Sequence, residues 1–161
     1  MKLIFLDIDG VLNYPLMTDP VKKYYGQVSA HCVELLNQLT DETGAKLVIS
    51  STWRRDSASL PSIEERLKEL GVTGEIIGST PVLTQKAVFR GNEIYHWMLD
   101  NKEICGTYPN LFSDYVILDD DSDMLLWQKD NFVQTDAWIG ITPTIIHRAK
   151  RVLNRSVETL L

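Results

Sequence analysis

Four apolar residues in a row, Leu3-Ile4-Phe5-Leu6, run directly into Asp7-Ile8-Asp9-Gly10-Val11. A strand with one wet face alternates apolar and polar residues; an unbroken run this short reads instead as a central strand covered on both faces. Such strands belong to parallel sheets, and open α/β sheets hold their ligands at the strands' carboxyl ends. Two carboxylates emerge at that end. Residues i and i+2 of a strand point the same way, so Asp7 and Asp9 can share one site, where like charges repel unless a cation joins them. Gly10 permits a sharp turn without a Cβ clash. By itself Asp-x-Asp-Gly also suits two solvated acids opening a turn, so the rest of the chain must decide.

The remaining elements alternate. Ser29 to Thr43 place Cys32, Leu35, Leu36 and Leu39 on one helical face, with Gly44 as the stop. Lys46 to Ile49 reads as a second strand. Ser62 and Glu65 form a capping box for a helix with Ile63, Leu67 and Leu70 inward, ending at Gly71. Glu75 to Gly78 is a short third strand, and Asn92 is positioned to cap a helix carrying Ile94, Trp97 and Met98. Tyr115 to Leu118 is a fourth strand, Phe132-Val133 a fifth, and Thr142-Pro143 opens a last helix with Ile145, Ala149, Val152 and Leu153 inward. The expected fold is therefore a three-layer α/β/α, Rossmann-like domain over residues 1–161, with a central parallel sheet of about five strands.

Composition narrows the class. A hydrophobic fraction of 44% and a charged fraction of 24% are those of a soluble globular protein. No stretch is long enough to span a membrane, and the apolar run after Lys2 is too short for a signal peptide. Cys32 and Cys105 make no metal-type pair and read as reduced thiols of a cytoplasmic protein. His31, His96 and His147 fall on separate predicted helices without metal-ligand spacing and read as structural. A net charge of −6 argues against a broad basic surface for nucleic acid, yet leaves room for a small basic site that takes a phosphate or a strand end.

Three further clusters follow strand ends or open helices. Ser50-Ser51-Thr52 after the second strand offers hydroxyls and N–H groups to a phosphate oxygen, or simply a turn or cap. Arg90-Gly91, with Lys86 four positions earlier, offers a cation to a phosphate or phospho-aspartate, or plain surface. Asp119-Asp120-Asp121-Ser122-Asp123 directly follows the fourth strand. Acids packed this densely repel, and hard carboxylates suit Mg²⁺, which takes one or two of them together with substrate phosphate. Asp121 is the member best suited to being mere surface.

The collinear set of Asp7-Ile8-Asp9-Gly10-Val11, Ser50, a cation before a late helix and the acidic cluster after Leu118 resembles the four motifs of the haloacid-dehalogenase-like (HAD) superfamily. The details Ser50-Ser51-Thr52-Trp53-Arg54, Arg90-Gly91-Asn92-Glu93-Ile94 and Leu118 to Met124 resemble a narrower group: small capless domains related to the HAD domain of Swiss-army-knife RNA-repair proteins. The resemblance implies a Mg²⁺-dependent phosphatase. Asp7 would be the nucleophile that becomes an aspartyl-phosphate, and Asp9 the acid that protonates the leaving oxygen and then activates water. Ser50 would bind the transferring phosphoryl group, with Gly10, Ser51 and Arg54 lining the substrate. Arg90 would stand where the family normally has lysine, which leaves Lys86 as a rival. Asp7, the backbone carbonyl of Asp9, Asp119 and Asp120 would hold the metal, with Asp123 ligating or orienting from behind and the register within the cluster open by one residue. An acid at Asp9, where phosphate-transferring ion pumps usually carry threonine, favours hydrolysis.

The stretches 14–28 and 55–74 are too short for an independent cap domain with its own core. An open site excludes water only when the substrate closes it, which suits a large or polymeric substrate. Lys22-Lys23-Tyr24-Tyr25 pairs charge with aromatics, a combination fit for a nucleotide or an RNA or DNA end and equally for a solvated loop. Trp53 suits either substrate or core. The competing readings are a phosphatase of nucleotide or nucleic-acid terminal phosphates, a phosphatase of small metabolites or phosphoproteins, and a receiver-like or non-catalytic phosphate-binding module. Against the last, no lysine lies between Val133 and Thr142.

Overall fold

The structure is a computed structural model that describes residues 1–17, 27–56, 62–85, 88–105 and 114–155. Its strands are β1 (Leu3–Leu6), β2 (Lys46–Ile49), β3 (Ile76–Ser79), β4 (Tyr115–Asp119) and β5 (Phe132–Gln134). They form one all-parallel sheet in the order β3-β2-β1-β4-β5. The helices are α1 (Ala30–Thr43), α2 (Ile63–Glu69), α3 (Arg90–Asp100), a short α4 (Lys102–Cys105) and α5 (Pro143–Leu153). This is the Rossmann-like α/β architecture anticipated above. No helix among the described residues is long and apolar enough to cross a membrane.

The unalternated β1 sequence is explained by two cores. Ile4 and Leu6 face α1, α2 and α5, joining Leu36, Leu39, Leu67, Ile146 and Ala149. Leu3 and Phe5 face α3, joining Ile94, Trp97 and Met98. All four β1 side chains are buried, Phe5 in edge-on contact with Trp97 and Tyr115. Each such side chain contributes roughly 1.5–3 kcal/mol by leaving water. The centre of the sheet is thereby the best-anchored place from which to present a side chain.

Caps follow the sequence at α1, where Ser29 accepts from the Cys32 N–H and Gly44 closes the helix in the left-handed region at φ 68°. They follow it at α2, with the Ser62–Glu65 capping box, and at α5, with Thr142 as cap and Pro143 in the first turn. At α3 the expectation fails. The helix begins two residues earlier than Asn92, its cap position is Phe89, and the Asp123 carboxylate accepts from the Arg90 N–H at 2.8 Å. A remote acid does the work of a local cap, and Asn92 is left inside the first turn.

The chain runs β1-β2-β3 outward in one direction and then returns to lay β4 on the other side of β1. Loops leaving β1 and β4 therefore diverge, opening a crevice at the carboxyl ends of these two strands. Register pairs Leu6 with Leu118, so the next residues, Asp7 and Asp119, meet there.

Candidate active site

A cavity of about 310 Å³ occupies that crevice, lined by Asp7, Asp9, Gly10, Arg90, Asp119, Asp120, Asp121 and Asp123, with Pro15, Thr52, Ala137 and Trp138 on its walls. Asp7 is tied to β4 by its N–H, which donates to the Leu118 carbonyl at 2.9 Å. Gly10 turns at φ 75°, and a Cβ on it would lie 2.5 Å from the Asp120 carboxylate carbon. Glycine is required here both by backbone angle and by the approach of the acidic loop. Thr135, following β5, closes the arrangement: its hydroxyl donates to Gly10 O at 2.7 Å and its N–H to Asp119 O at 3.0 Å.

Carboxylate oxygens of Asp7, Asp119 and Asp120 lie within 4.8 Å of one another. Burial pushes Asp7 up to about 6. It pushes Asp119 up to about 8, with the Asp7 charge adding to the effect. Asp120 is raised too, first by burial and then by Asp121. Asp119 Oδ1 accepts from the Asp121 N–H, but the buried Oδ2 accepts no hydrogen bond, and its nearest cation, Arg90 Nε, stands off at 3.7 Å. Three converging hard oxygens with one unsatisfied is the donor set a Mg²⁺ ion fits.

Asp9 is held differently. Trp53 Nε1 donates to both of its oxygens, at 3.0 and 3.1 Å, and Asn13 Nδ2 donates to Oδ1 at 2.8 Å. Trp53 is itself buried, with the Arg66 guanidinium of α2 stacked 4.6 Å from its ring. Asn13 is locked by the Gly10 N–H and the Gln27 carbonyl. The Asp9 side chain is thus oriented within the cavity and is not one of the three clustered carboxylates.

Several site residues differ from the sequence reading. Ser51, beside the expected phosphoryl contact Ser50, is the hydroxyl residue whose side chain works against the burial-driven rise of the Asp7 carboxyl. Ser50 Oγ is buried without a hydrogen-bond partner, and Thr52 supplies the hydroxyl residue on the cavity wall. Arg54, expected to line the substrate, is not among the residues of the cavity wall. Its buried guanidinium donates to the carbonyls of Thr80, Ser50, Ser51 and Pro81 and pairs with Glu93, leaving it a brace. Asp123 lies on the cavity wall but outside the three-carboxylate cluster, with one oxygen engaged by the Arg90 N–H. Arg90, the residue expected in place of lysine, does reach the cavity; Lys86 and the Lys22–Tyr25 segment lie outside the described residues. The three histidines are exposed, on α1, α3 and α5.

Sequence reasoning missed Glu93, which is 4% exposed and binds Arg54, Arg90 and the Leu83 N–H together. Its signal was present: a glutamate on the same α3 stripe as Ile94 and Trp97, three residues after Arg90. Asn13, Thr135 and Gln128 were missed as well. Gln128 donates to Gly91 O and accepts from Leu125 N–H, stitching α3 to the acidic loop where a Cβ on Gly91 would clash.

An open parallel sheet carrying paired acids at the β1 end and a third acid at the switch point defines a Rossmann-like domain of the HAD class. Over residues 3–145 the chain matches the family described as the HAD domain in Swiss Army Knife RNA repair proteins, and it belongs to that family. Membership points to a phosphatase-type hydrolase. Comparison with curated proteins and with solved structures found no match.

Proposed function

We propose that the protein is a Mg²⁺-dependent phosphatase that hydrolyses a phosphomonoester through an aspartyl-phosphate, acting on a nucleotide or a nucleic-acid terminal phosphate. The observation that carries this reading is the convergence of Asp7, Asp119 and Asp120, with an unsatisfied Asp119 oxygen, beside Arg90 and a separately held Asp9. Asp7, Asp119 and Asp120 would hold the ion, which when bound supplies positive charge to the phosphoryl oxygens. Asp7 attacks phosphorus as the bond to the leaving oxygen breaks, and Asp9 gives that oxygen its proton. Asp9 then takes a proton from the water that attacks the aspartyl-phosphate, releasing phosphate and restoring Asp7. The Trp53 and Asn13 donors orient Asp9 for both transfers, and Arg90, steadied by Glu93, faces the phosphoryl charge. Ser51 sits at Asp7 and takes the hydroxyl role first assigned to Ser50. The family's description, which places it in RNA-repair proteins, supports a nucleic-acid end over a free metabolite.

The test is phosphate release by the purified protein with and without Mg²⁺, against 3′- and 5′-phosphorylated oligonucleotides, nucleotides and sugar phosphates. Mg²⁺-dependent release, fastest on an oligonucleotide end, is expected. A sugar phosphate outrunning every oligonucleotide overturns the substrate assignment, and no release from any ester overturns the phosphatase assignment.

A further inference from the structure

Trp138 stands apart from the other residues of the cavity. It is the large aromatic on a wall otherwise made of carboxylates, Arg90 and small residues, and it is 63% exposed. An indole left in water forfeits burial energy, so its exposure beside a polar pocket points to a ligand with an apolar face. The turn that carries it is tightly built. Asp136 accepts from the Trp138 N–H through its side chain and from the Ile139 and Gly140 N–H groups through its carbonyl. Gly140 turns at φ 75°, where a Cβ would lie 2.8 Å from Val11 O, and the Ile141 N–H donates to that same carbonyl. Thr135 ties the start of the turn to Gly10 and Asp119. The backbone under Trp138 is therefore fastened to both acidic loops, and the ring is presented with only two side-chain torsions left to order.

Resting on the phosphatase reading above, we infer that Trp138 is the stacking platform for the base of the nucleotide whose phosphate enters the cavity. A base has a flat face of either edge chemistry, so stacking accepts any of the four and selects base-bearing esters over bare sugar phosphates. Trp138 is thus a specificity-determining residue for a nucleotide end. It takes no part in proton or phosphoryl transfer.

The test uses short phosphorylated oligoribonucleotides, with the phosphate at either end, paired with otherwise identical ones whose terminal nucleotide lacks its base. Binding is measured by fluorescence anisotropy at fixed Mg²⁺ and salt, in protein carrying Asp7→Asn so that nothing turns over. The base-bearing oligonucleotide should bind about ten-fold more tightly than its abasic partner at the preferred end, the scale of one stacked base. Trp138→Ala should erase that preference while leaving abasic binding unchanged, and Trp138→Phe should restore most of it. Equal binding of the paired oligonucleotides by protein with Trp138, or equal loss of both in Trp138→Ala, overturns the inference. Phosphate release by protein with Asp7, on the same oligonucleotides and on ribose 5-phosphate, separately judges the phosphatase reading. With that reading intact, Trp138→Ala should raise KM for the base-bearing substrate by a larger factor than KM for ribose 5-phosphate.

Discussion

On one side of the cavity Asp7, Asp119 and Asp120 crowd together with a buried oxygen that nothing satisfies; on the other, Arg54, Glu93 and Arg90 satisfy one another almost completely. Both groups are charged and largely buried, yet they are built to opposite ends. The acidic side is repulsive and poorly paired, as the proposed cation-holding role requires. The basic side spends Arg54 on four carbonyls and a carboxylate, and uses Glu93 to fix where Arg90 points. Stability and function are therefore separable: removing an acid should relieve the fold and end the chemistry, whereas breaking the basic chain should damage both.

The largest effect is expected from Asp7→Asn. Turnover should fall on the order of 10⁴-fold or more, since an amide cannot serve as nucleophile. The melting temperature without metal should hold or rise, because one of the repelling acids is gone. Wild-type-like hydrolysis by a verified sample would end the proposed mechanism, and unfolding would end the contrast drawn here. Asp9→Asn should slow turnover by roughly 10²- to 10⁴-fold. Trp53→Phe, which removes the indole donor but keeps a ring, should reproduce a smaller share of that loss in kcat with little change in KM.

Glu93→Ala probes the other side. It leaves the buried Arg54 and the partly buried Arg90 without their shared carboxylate and should cost about 3–5 kcal/mol of stability, read by chemical denaturation. A variant as stable as the parent would show that the basic chain is decorative.

Metal and pH sharpen the acidic side. Asp7 and Asp119 have folded-state values raised from 3.8 to about 6 and about 8. Groups raised in this way lend stability while protonated and withdraw it as pH rises through the folded values. Without metal, the melting temperature should therefore fall as pH rises from about 4 to about 8. Mg²⁺ takes the ionised form, so the rise in melting temperature that it causes should grow across the same window. Asp119→Ala and Asp120→Ala should abolish most of this Mg²⁺ effect, and Asp121→Ala, an exposed position, should change it least. Equal losses at all three would return the cluster to an ordinary acidic turn.

Much of the fold was legible because its causes are local. The β1 run, the Ser29 and Ser62 caps, the Gly44 stop and Thr142-Pro143 each act within a turn of chain, and each stands where its sequence placed it. The α3 start was misread for the complementary reason: its cap comes from Asp123, more than thirty residues away in sequence. The same distinction divides the site. Asp7, Asp9, Asp119 and Asp120 announce themselves by following apolar strands. Which of two adjacent serines meets Asp7 depends on how the chain leaves β2, and no local pattern records that.

By itself, then, the sequence determined the alternation of strands and helices, the central place of β1 and the acids at its carboxyl end, because hydrophobic periodicity and capping are properties of neighbouring residues. Only the tertiary structure decided that Arg54 is a brace, that Glu93 joins two arginines, that Trp53 and Asn13 hold Asp9, and that Trp138 stands at the mouth. The long-range contacts among these join different parts of the chain: Trp53 after β2 meets Asp9 after β1, and Arg54 meets Glu93 of α3. They exist because the parallel sheet sets β2, β1 and β4 side by side and brings the loops at their carboxyl ends to one crevice.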